Sequence, residues 1–443
     1  MKCEAVRDEL VAFARRELAA EVATKVEEHL ARCEGCTREL ESAREVLAIT
    51  LMADDESIVA AVTALLEEAI DARASDLHLD ATDAGGEVRR RIDGVLLPVR
   101  TLTREAFAAH VARLKRLAGM SVSERKAPQD GGIPLERGGR SFHLRVSVFP
   151  FFHGENACIR ILDRANLKVD IDRIGLAPVM RERIETALAQ PNGLIIVAGP
   201  SSSGKTYTAY ALLSQVTKPE VKTICIEDPV ELLLPGVSQA SIDPRSGLTY
   251  AAAIRAFMRQ DPDILMVGDI SDGETLVACL EAAMSGHLVI AVMQAWGAIS
   301  ALTRLRNLGA DPSQIASALK CVLGQRLSRL LCPACRRPET PSDADLRALG
   351  FTPDAGAAGF HGPVGCEKCQ GKGYARRIGL YELLTVDQEF ARRIAADAPA
   401  AELRSIALDR GVLISFRDDA RPKVADGSTS VAEALRVLEA IDA

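Results

Sequence analysis

Residues 194–206 read Leu-Ile-Ile-Val-Ala-Gly-Pro-Ser-Ser-Ser-Gly-Lys-Thr, and this stretch decides the fold. The five apolar residues at 194–198 suit a central strand of a parallel sheet, buried on both faces. The next eight, Gly199, Pro200, Ser201, Ser202, Ser203, Gly204, Lys205 and Thr206, fit the phosphate-loop pattern G-x-x-x-x-G-K-S/T in full. Helical sequence follows at 205–217, so the loop stands between strand and helix as its chemistry requires. The glycines let the backbone wrap around phosphate, while the amides and the helix N-terminus offer positive partial charge. Lys205 is placed to reach the β- and γ-phosphates and Thr206 to ligate Mg²⁺, which implies ATP or GTP as ligand. A chance Gly/Ser turn would not bring the flanking strand and helix with it.

Further apolar runs at 223–226, 264–267 and 288–292 alternate with helical stretches at 248–259 and 272–284. That alternation predicts an α/β domain with a parallel sheet, from about residue 176 to 443. Two carboxylates follow apolar strands downstream of the loop: Glu227, and Asp269 in Gly268-Asp269. Such a pair can hold Mg²⁺ through water and orient an attacking water. Upstream, residues 1–50 form a small helical unit. Residues 56–163 read as an α+β domain, with helices at 58–73 and 104–118 and β-runs at 76–80, 88–92, 96–99, 142–149 and 156–162. A linker is expected at 163–175, residues 354–365 are the most loop-like segment, and helices are expected to close the chain.

The 443 residues exceed what one compact core accommodates, and three domains are expected. A net charge of −7 argues against a nucleic-acid partner. No run approaches 18 apolar residues and no apolar signal core follows Met1, so a cytoplasmic protein is expected. Seven of the eleven cysteines fall at metal-type spacings. Cys332, Cys335, Cys366 and Cys369 form two CxxC pairs in an insertion at 330–373, and four thiolates make a closed structural zinc site. Cys3, His29, Cys33 and Cys36 form a second set, with His29 and Cys33 one helical turn apart. Cys158, Cys225, Cys279 and Cys321 lie in apolar runs and read as core residues. Trp296, the only tryptophan, is read equally as packing or as a nucleotide contact.

Ala74-Ser75-Asp76-Leu77-His78-Leu79, Arg91-Ile92-Asp93-Gly94, Pro128-Gln129-Asp130-Gly131, Leu144-Arg145-Val146-Ser147 and Gly154-Glu155 occur in order. Ile226-Glu227-Asp228-Pro229-Val230-Glu231, Arg259-Gln260-Asp261-Pro262-Asp263, Ser285-Gly286-His287-Leu288 and Gln325-Arg326-Leu327 follow. Together they resemble the type II secretion and type IV pilus assembly ATPases from about residue 56 to the end. The resemblance implies a RecA-like ATPase domain preceded by a PAS-like α+β domain. It implies a ring, usually hexameric, with Mg-ATP between the two domains, and an inner-membrane platform protein as partner. It implies further that Glu227, Asp269 and His287 serve catalysis and that Arg145 and Arg160 reach toward the phosphates. Residues 1–50 resemble the zinc-binding domain of anti-sigma factors, which implies a protein partner of unknown identity.

The chain also departs from the family. Gly268-Asp269-Ile270-Ser271-Asp272 stands where Gly-Glu-Ile-Arg-Asp is usual, Gln294 aligns with the second histidine of the histidine box, and Ser202 replaces a loop glycine. Two readings follow: an ATP-hydrolysing assembly motor, or a hydrolysis-impaired nucleotide-binding regulator or scaffold. A third, an anti-sigma factor, leaves most of the chain unexplained.

Overall fold

The computed structural model describes residues 1–163, 169–242, 246–351 and 359–442, which divide into two units at residues 166/167. The first unit begins with three helices, α1 (Cys3–Arg15), α2 (Ala20–Leu30) and α3 (Glu34–Met52). Their small core is Val6, Leu10, Val26, Cys36 and Leu40. Helices α4 (Glu56–Asp71) and α5 (Arg104–Leu117) pack on one face of a six-stranded antiparallel sheet. Its strands are β1 (Asp76–Thr82), β2 (Gly85–Ile92), β3 (Val95–Leu102), β4 (Gln129–Arg137), β5 (Arg140–Phe151) and β6 (Gly154–Asp163), in the order β3-β2-β1-β6-β5-β4. Period-two alternation builds it: Phe142, Leu144, Val146 and Val148 are buried, and Arg145 and Ser147 between them are exposed. Helix α3 lies against α5, with Arg113 and Arg116 paired to Asp54.

The second unit carries an eight-stranded sheet. In chain order its strands are β7 (Gly193–Gly199), β8 (Thr223–Glu227), β9 (Val237–Ser241), β10 (Ile264–Val267), β11 (Leu288–Gln294) and β12 (Leu319–Leu331). A two-residue ladder within the cysteine insertion supplies β13 (Arg337–Pro338) and β14 (His361–Gly362), and β15 (Tyr374–Thr385) and β16 (Leu413–Ile414) return to the main sheet. The order is β16-β15-β12-β7-β11-β10-β8-β9, parallel from β12 to β9 and antiparallel at β15 and β16. Alternate residues of each central strand face opposite cores. Leu194, Ile196 and Ala198 pack on one side against α8 (Tyr250–Phe257), α9 (Gly273–Met284), α10 (Ala298–Asn307) and α11 (Pro312–Ala318). Ile195 and Val197 pack on the other, against α6 (Pro178–Leu188) and α7 (Lys205–Val216).

Three expectations change. The chain does not close with helices alone: β12 and β15 form the most extensive pairing of the unit, ten register pairs from Cys321↔Thr385 to Leu331↔Tyr374. Gln325, Arg326, Ser328 and Glu382 are buried in these strands, and their polarity hides the strand pattern in the sequence. Strand β4 went unread because Gly131, Gly132 and Pro134 lower its β-propensity. Of the expected linker, residues 164–168 lie outside the described residues. Its end belongs to the second unit's core, with Ile171 and Ile174 buried there. Of the loop-like 354–365 segment, 354–358 lie outside the described residues.

The remaining helices, α12 (Asp343–Ala348), α13 (Gln388–Ala395), α14 (Ala400–Asp409), α15 (Phe416–Ala425) and α16 (Val431–Asp442), complete the chain. The α16 carboxylate Glu433, 1% exposed, accepts from the Arg329 amide at 3.0 Å and guanidinium at 2.7 Å. Arg436 adds two bonds at 2.7 and 2.8 Å. Burial alone would raise its pKa, but these donors hold it down at about 2. A depressed carboxylate stabilises the fold above its unfolded pKa and loses that contribution as pH falls through the folded value. Glu433→Gln is expected to cost about 3 kcal/mol at pH 7 in urea unfolding, with the deficit shrinking between pH ~4.5 and ~2.

Candidate functional site

Strand β7 ends at Gly199 and α7 begins at Lys205, so the loop is held by a strand buried along its whole length. The two glycines are required by geometry. A methyl group at Gly199 would stand 2.4 Å from Ser203 Oγ and 2.6 Å from the Gln325 carbonyl. Gly204 has φ +84°, a conformation L side chains rarely adopt. Ser202 also sits in the left-handed region, with φ +61°. Lys205 Nζ and Ser203 Oγ both donate to the Pro200 carbonyl, at 2.8 and 2.9 Å. Burial lowers the Lys205 pKa, while Asp269 and Glu231 nearby oppose that shift. A backbone cradle with no room for a side chain at either framing glycine, and a lysine at its lip, fit the phosphates of a nucleotide, with Thr206 available to Mg²⁺.

The two predicted carboxylates are treated differently by the fold. Asp269, two residues past β10, lies within electrostatic reach of Lys205. Burial raises its pKa, while Lys205, Arg304 and a hydrogen bond with Ser271 act to lower it. Glu227 ends β8 on the α7 face and is 2% exposed. The Tyr210 hydroxyl donates to it, as do Cys225 Sγ at 3.0 Å and Gln239 Nε2 at 3.1 Å. Burial raises its pKa, against these donors. Glu227 therefore anchors the first turns of α7 to the strand beside it.

His287 is not brought to the loop. It precedes β11, its backbone carbonyl accepting from Gly193 at 3.1 Å, at the opposite end of β7 from Gly199. Six strand residues at roughly 3.3 Å each separate it from the loop by about 20 Å. The β11 residue that reaches the loop is Gln294, whose register partner is Gly199. Arg145 and Arg160 are register partners on the exposed face of the first unit's sheet. Arg160 Nε bonds Asp76 at 3.0 Å.

Gln294, Trp296, Ser300, Thr303, Arg304 and Asn307 line a cleft of about 540 Å³ beside Pro200 and Ser201. Trp296 carries the Arg326 guanidinium 4.8 Å from its ring centroid, and its carbonyl accepts from Arg326 at 2.8 Å. Arg304 and Glu231 went unread as site residues. No motif marks Arg304, whereas Glu231 stood within the quoted acidic stretch.

Both cysteine sets converge. Cys332 and Cys366 sulfurs are 3.9 Å apart, Cys335 and Cys369 3.8 Å, and Cys366 and Cys369 3.7 Å. A tetrahedral zinc with Zn–S bonds near 2.3 Å needs sulfurs about 3.8 Å apart, so the set fits the ion. In the N-terminal set, Cys3 Sγ is 3.9 Å from Cys33 Sγ and 3.6 Å from His29 Nε2, with Cys36 in the same cluster. His29 Nδ1 is 3.1 Å from the Met1 carbonyl, an outer contact that would leave Nε2 free to ligate. Cys225, Cys279 and Cys321 are buried, and Cys158 is partly so.

The model of the "Type II/IV secretion system protein" family matches residues 52–436, and a zinc-finger family model matches residues 3–37. The chain is 38% identical over 386 residues to the type II secretion system protein E of Dickeya dadantii, covering 87% of this chain and 76% of that protein. The chain belongs to the type II/IV secretion system protein family. It is also 38% identical over 399 residues to the type IV pilus assembly ATPase PilB of Thermus thermophilus, covering 90% of this chain but only 45% of PilB. In fold it is similar to the ATPase DotB of Legionella pneumophila, with TM-score 0.63, 19% identity and coverage of 85% and 94%. It is likewise similar to the pilus retraction motor PilT, with TM-score 0.58, 22% identity and coverage of 84% and 95%.

Within this secretion family the departures acquire a physical meaning. Ser202 holds a left-handed conformation that costs an ordinary residue about 1–2 kcal/mol and a glycine almost nothing. Ser202→Gly should therefore raise the thermal midpoint of the ATPase unit, and Ser202→Val should lower it, as followed by calorimetry. The two cysteine sets predict a metal content by mass spectrometry of two zinc ions per chain. Cys33→Ser or Cys366→Ser should each remove one ion.

Proposed function

We propose that this chain is an ATP-hydrolysing motor that powers pilin or pseudopilin assembly in a type IV pilus or type II secretion system. The observation that carries it is the phosphate loop between β7 and α7, with Asp269 in the electrostatic field of Lys205, in a chain of this family. Mg-ATP supplies the phosphoryl group and the metal that neutralises its developing charge. The chain's residues bind and orient it: loop amides and Lys205 hold phosphate, Thr206 serves Mg²⁺, and Asp269 orients the attacking water. Glu227 acts through Tyr210 on the helix that follows the loop. Arg145 and Arg160 stabilise phosphate charge from the preceding domain. The motor works as a hexameric ring in the cytoplasm, held at the inner membrane by a platform protein, and does not bind nucleic acid. The N-terminal zinc module docks a further protein partner. Among the described residues no helix is long and apolar enough to cross a membrane.

Asp269, Ser271 and Gln294 favour a second reading, a nucleotide-binding regulator that hydrolyses poorly. Asp269 is one methylene shorter than the usual glutamate, and a displacement of about 1 Å can cost on the order of 100-fold. Mg²⁺-dependent ATP hydrolysis by the purified chain decides between them, beside Lys205→Ala and Asp269→Glu. Turnover abolished by Lys205→Ala is expected of the motor. ATP binding without turnover, with turnover restored in Asp269→Glu, would establish the regulator instead.

A further inference from the structure

The strand on the far side of the loop from β11 carries a residue that neither the acidic nor the phosphate-binding motif accounts for. The ladder between β12 and β7 ends at Gly324↔Ala198, so the next residue, Gln325, stands beside the loop itself. Its backbone carbonyl would meet a methyl group on Gly199 at 2.6 Å. Its side-chain Nε2 would meet one on Gly204 at 3.0 Å, with Leu327 filling the space beyond at 3.6 Å. One residue thus abuts both glycines that frame the phosphate loop. Gln325 is 3% exposed, and its Oε1 is buried without a hydrogen-bond partner among the described residues. A buried amide oxygen left unpaired destabilises a fold and is retained where a donor arrives to satisfy it. The segment that Gln325 abuts at Gly199 and Gly204 is the loop, whose hydroxyls, backbone amides and Lys205 ammonium are all donors.

We infer that Gln325 is a positioning residue of the phosphate loop, whose amide supports the loop from the β12 side and whose Oε1 accepts from a loop donor when the loop closes on nucleotide. The inference rests on the reading of the loop as a nucleotide site and adds a residue outside its motif. The two roles of a glutamine here make opposite predictions. As mere packing, replacing it by methionine, of similar shape, would leave nucleotide affinity unchanged. As a positioning residue, methionine removes the acceptor that the nucleotide-bound loop uses, and also removes an unpaired buried polar atom.

The test is nucleotide affinity and thermal midpoint of the full chain, using Mg-ATP with Gln325→Met, the parent and Lys205→Ala. Gln325→Met is expected to bind ATP about tenfold more weakly, the loss of roughly one hydrogen bond, while its midpoint without nucleotide is unchanged or higher. Gln325→Met binding ATP as the parent does would overturn the inference. So would a fall in both midpoint and affinity, since that is the signature of lost packing. A parent that shows no binding, or binding that survives Lys205→Ala, would sink the nucleotide-site reading instead, and the inference with it.

Discussion

The pairing of β7 with β11 on one side and β12 on the other is the constraint on which the ATPase unit depends. Every residue from Gly193 to Gly199 is buried, and both ladders run to the start of the phosphate loop. A loop that must present its own backbone amides has few side chains with which to hold itself in shape, those of Ser203 and Lys205 on the Pro200 carbonyl being two. Its conformation is imposed by what flanks it: the buried strand before it, α7 after it, and Gln325 against both framing glycines. The left-handed conformation of Ser202 is tolerated because that surrounding structure over-determines it.

The same sheet separates two tasks at its carboxyl end. Asp269, just past the end of β10, is partly open and shares the field of Lys205 and Arg304. Glu227, at the end of the neighbouring β8 but turned to the α7 face, is enclosed and hydrogen-bonded on both oxygens. Side chains alternate in direction along a strand, so carboxylates at neighbouring strand ends can serve different neighbours. One is available to chemistry at the loop, and the other ties the helix that begins there to the sheet.

The edge of the sheet beyond β12 is closed by β15 and β16, and the cysteine insertion sits where β12 ends and β15 begins. Cys332 directly follows β12, and its amide donates to Gly373, the residue before β15, at 2.9 Å. The four thiolates therefore draw together the two chain ends that a long insertion would otherwise leave free. The Glu433 cluster braces the same end of β12 from α16.

The sequence by itself determined the strand–loop–helix of the nucleotide site, the parallel α/β class and both sets of metal-type ligands. Each is written in short-range pattern: an apolar run, glycines at fixed spacing, cysteines one turn apart. It also marked the family through ordered motifs spread along the chain. Only the tertiary structure decided what those motifs touch. The register of β11 on β7 puts Gln294 beside the loop and leaves His287 about 20 Å away, because a strand carries its two ends to opposite edges of the sheet. Strands β12 and β15 were illegible because their polar residues are buried by partners far along the chain, such as Thr429 against Ser328 and the Ala298 amide against Glu382. Arg304 and Gln325 join the site for the same reason. Their neighbours are set by pairing and packing between distant segments, and no local spacing records that.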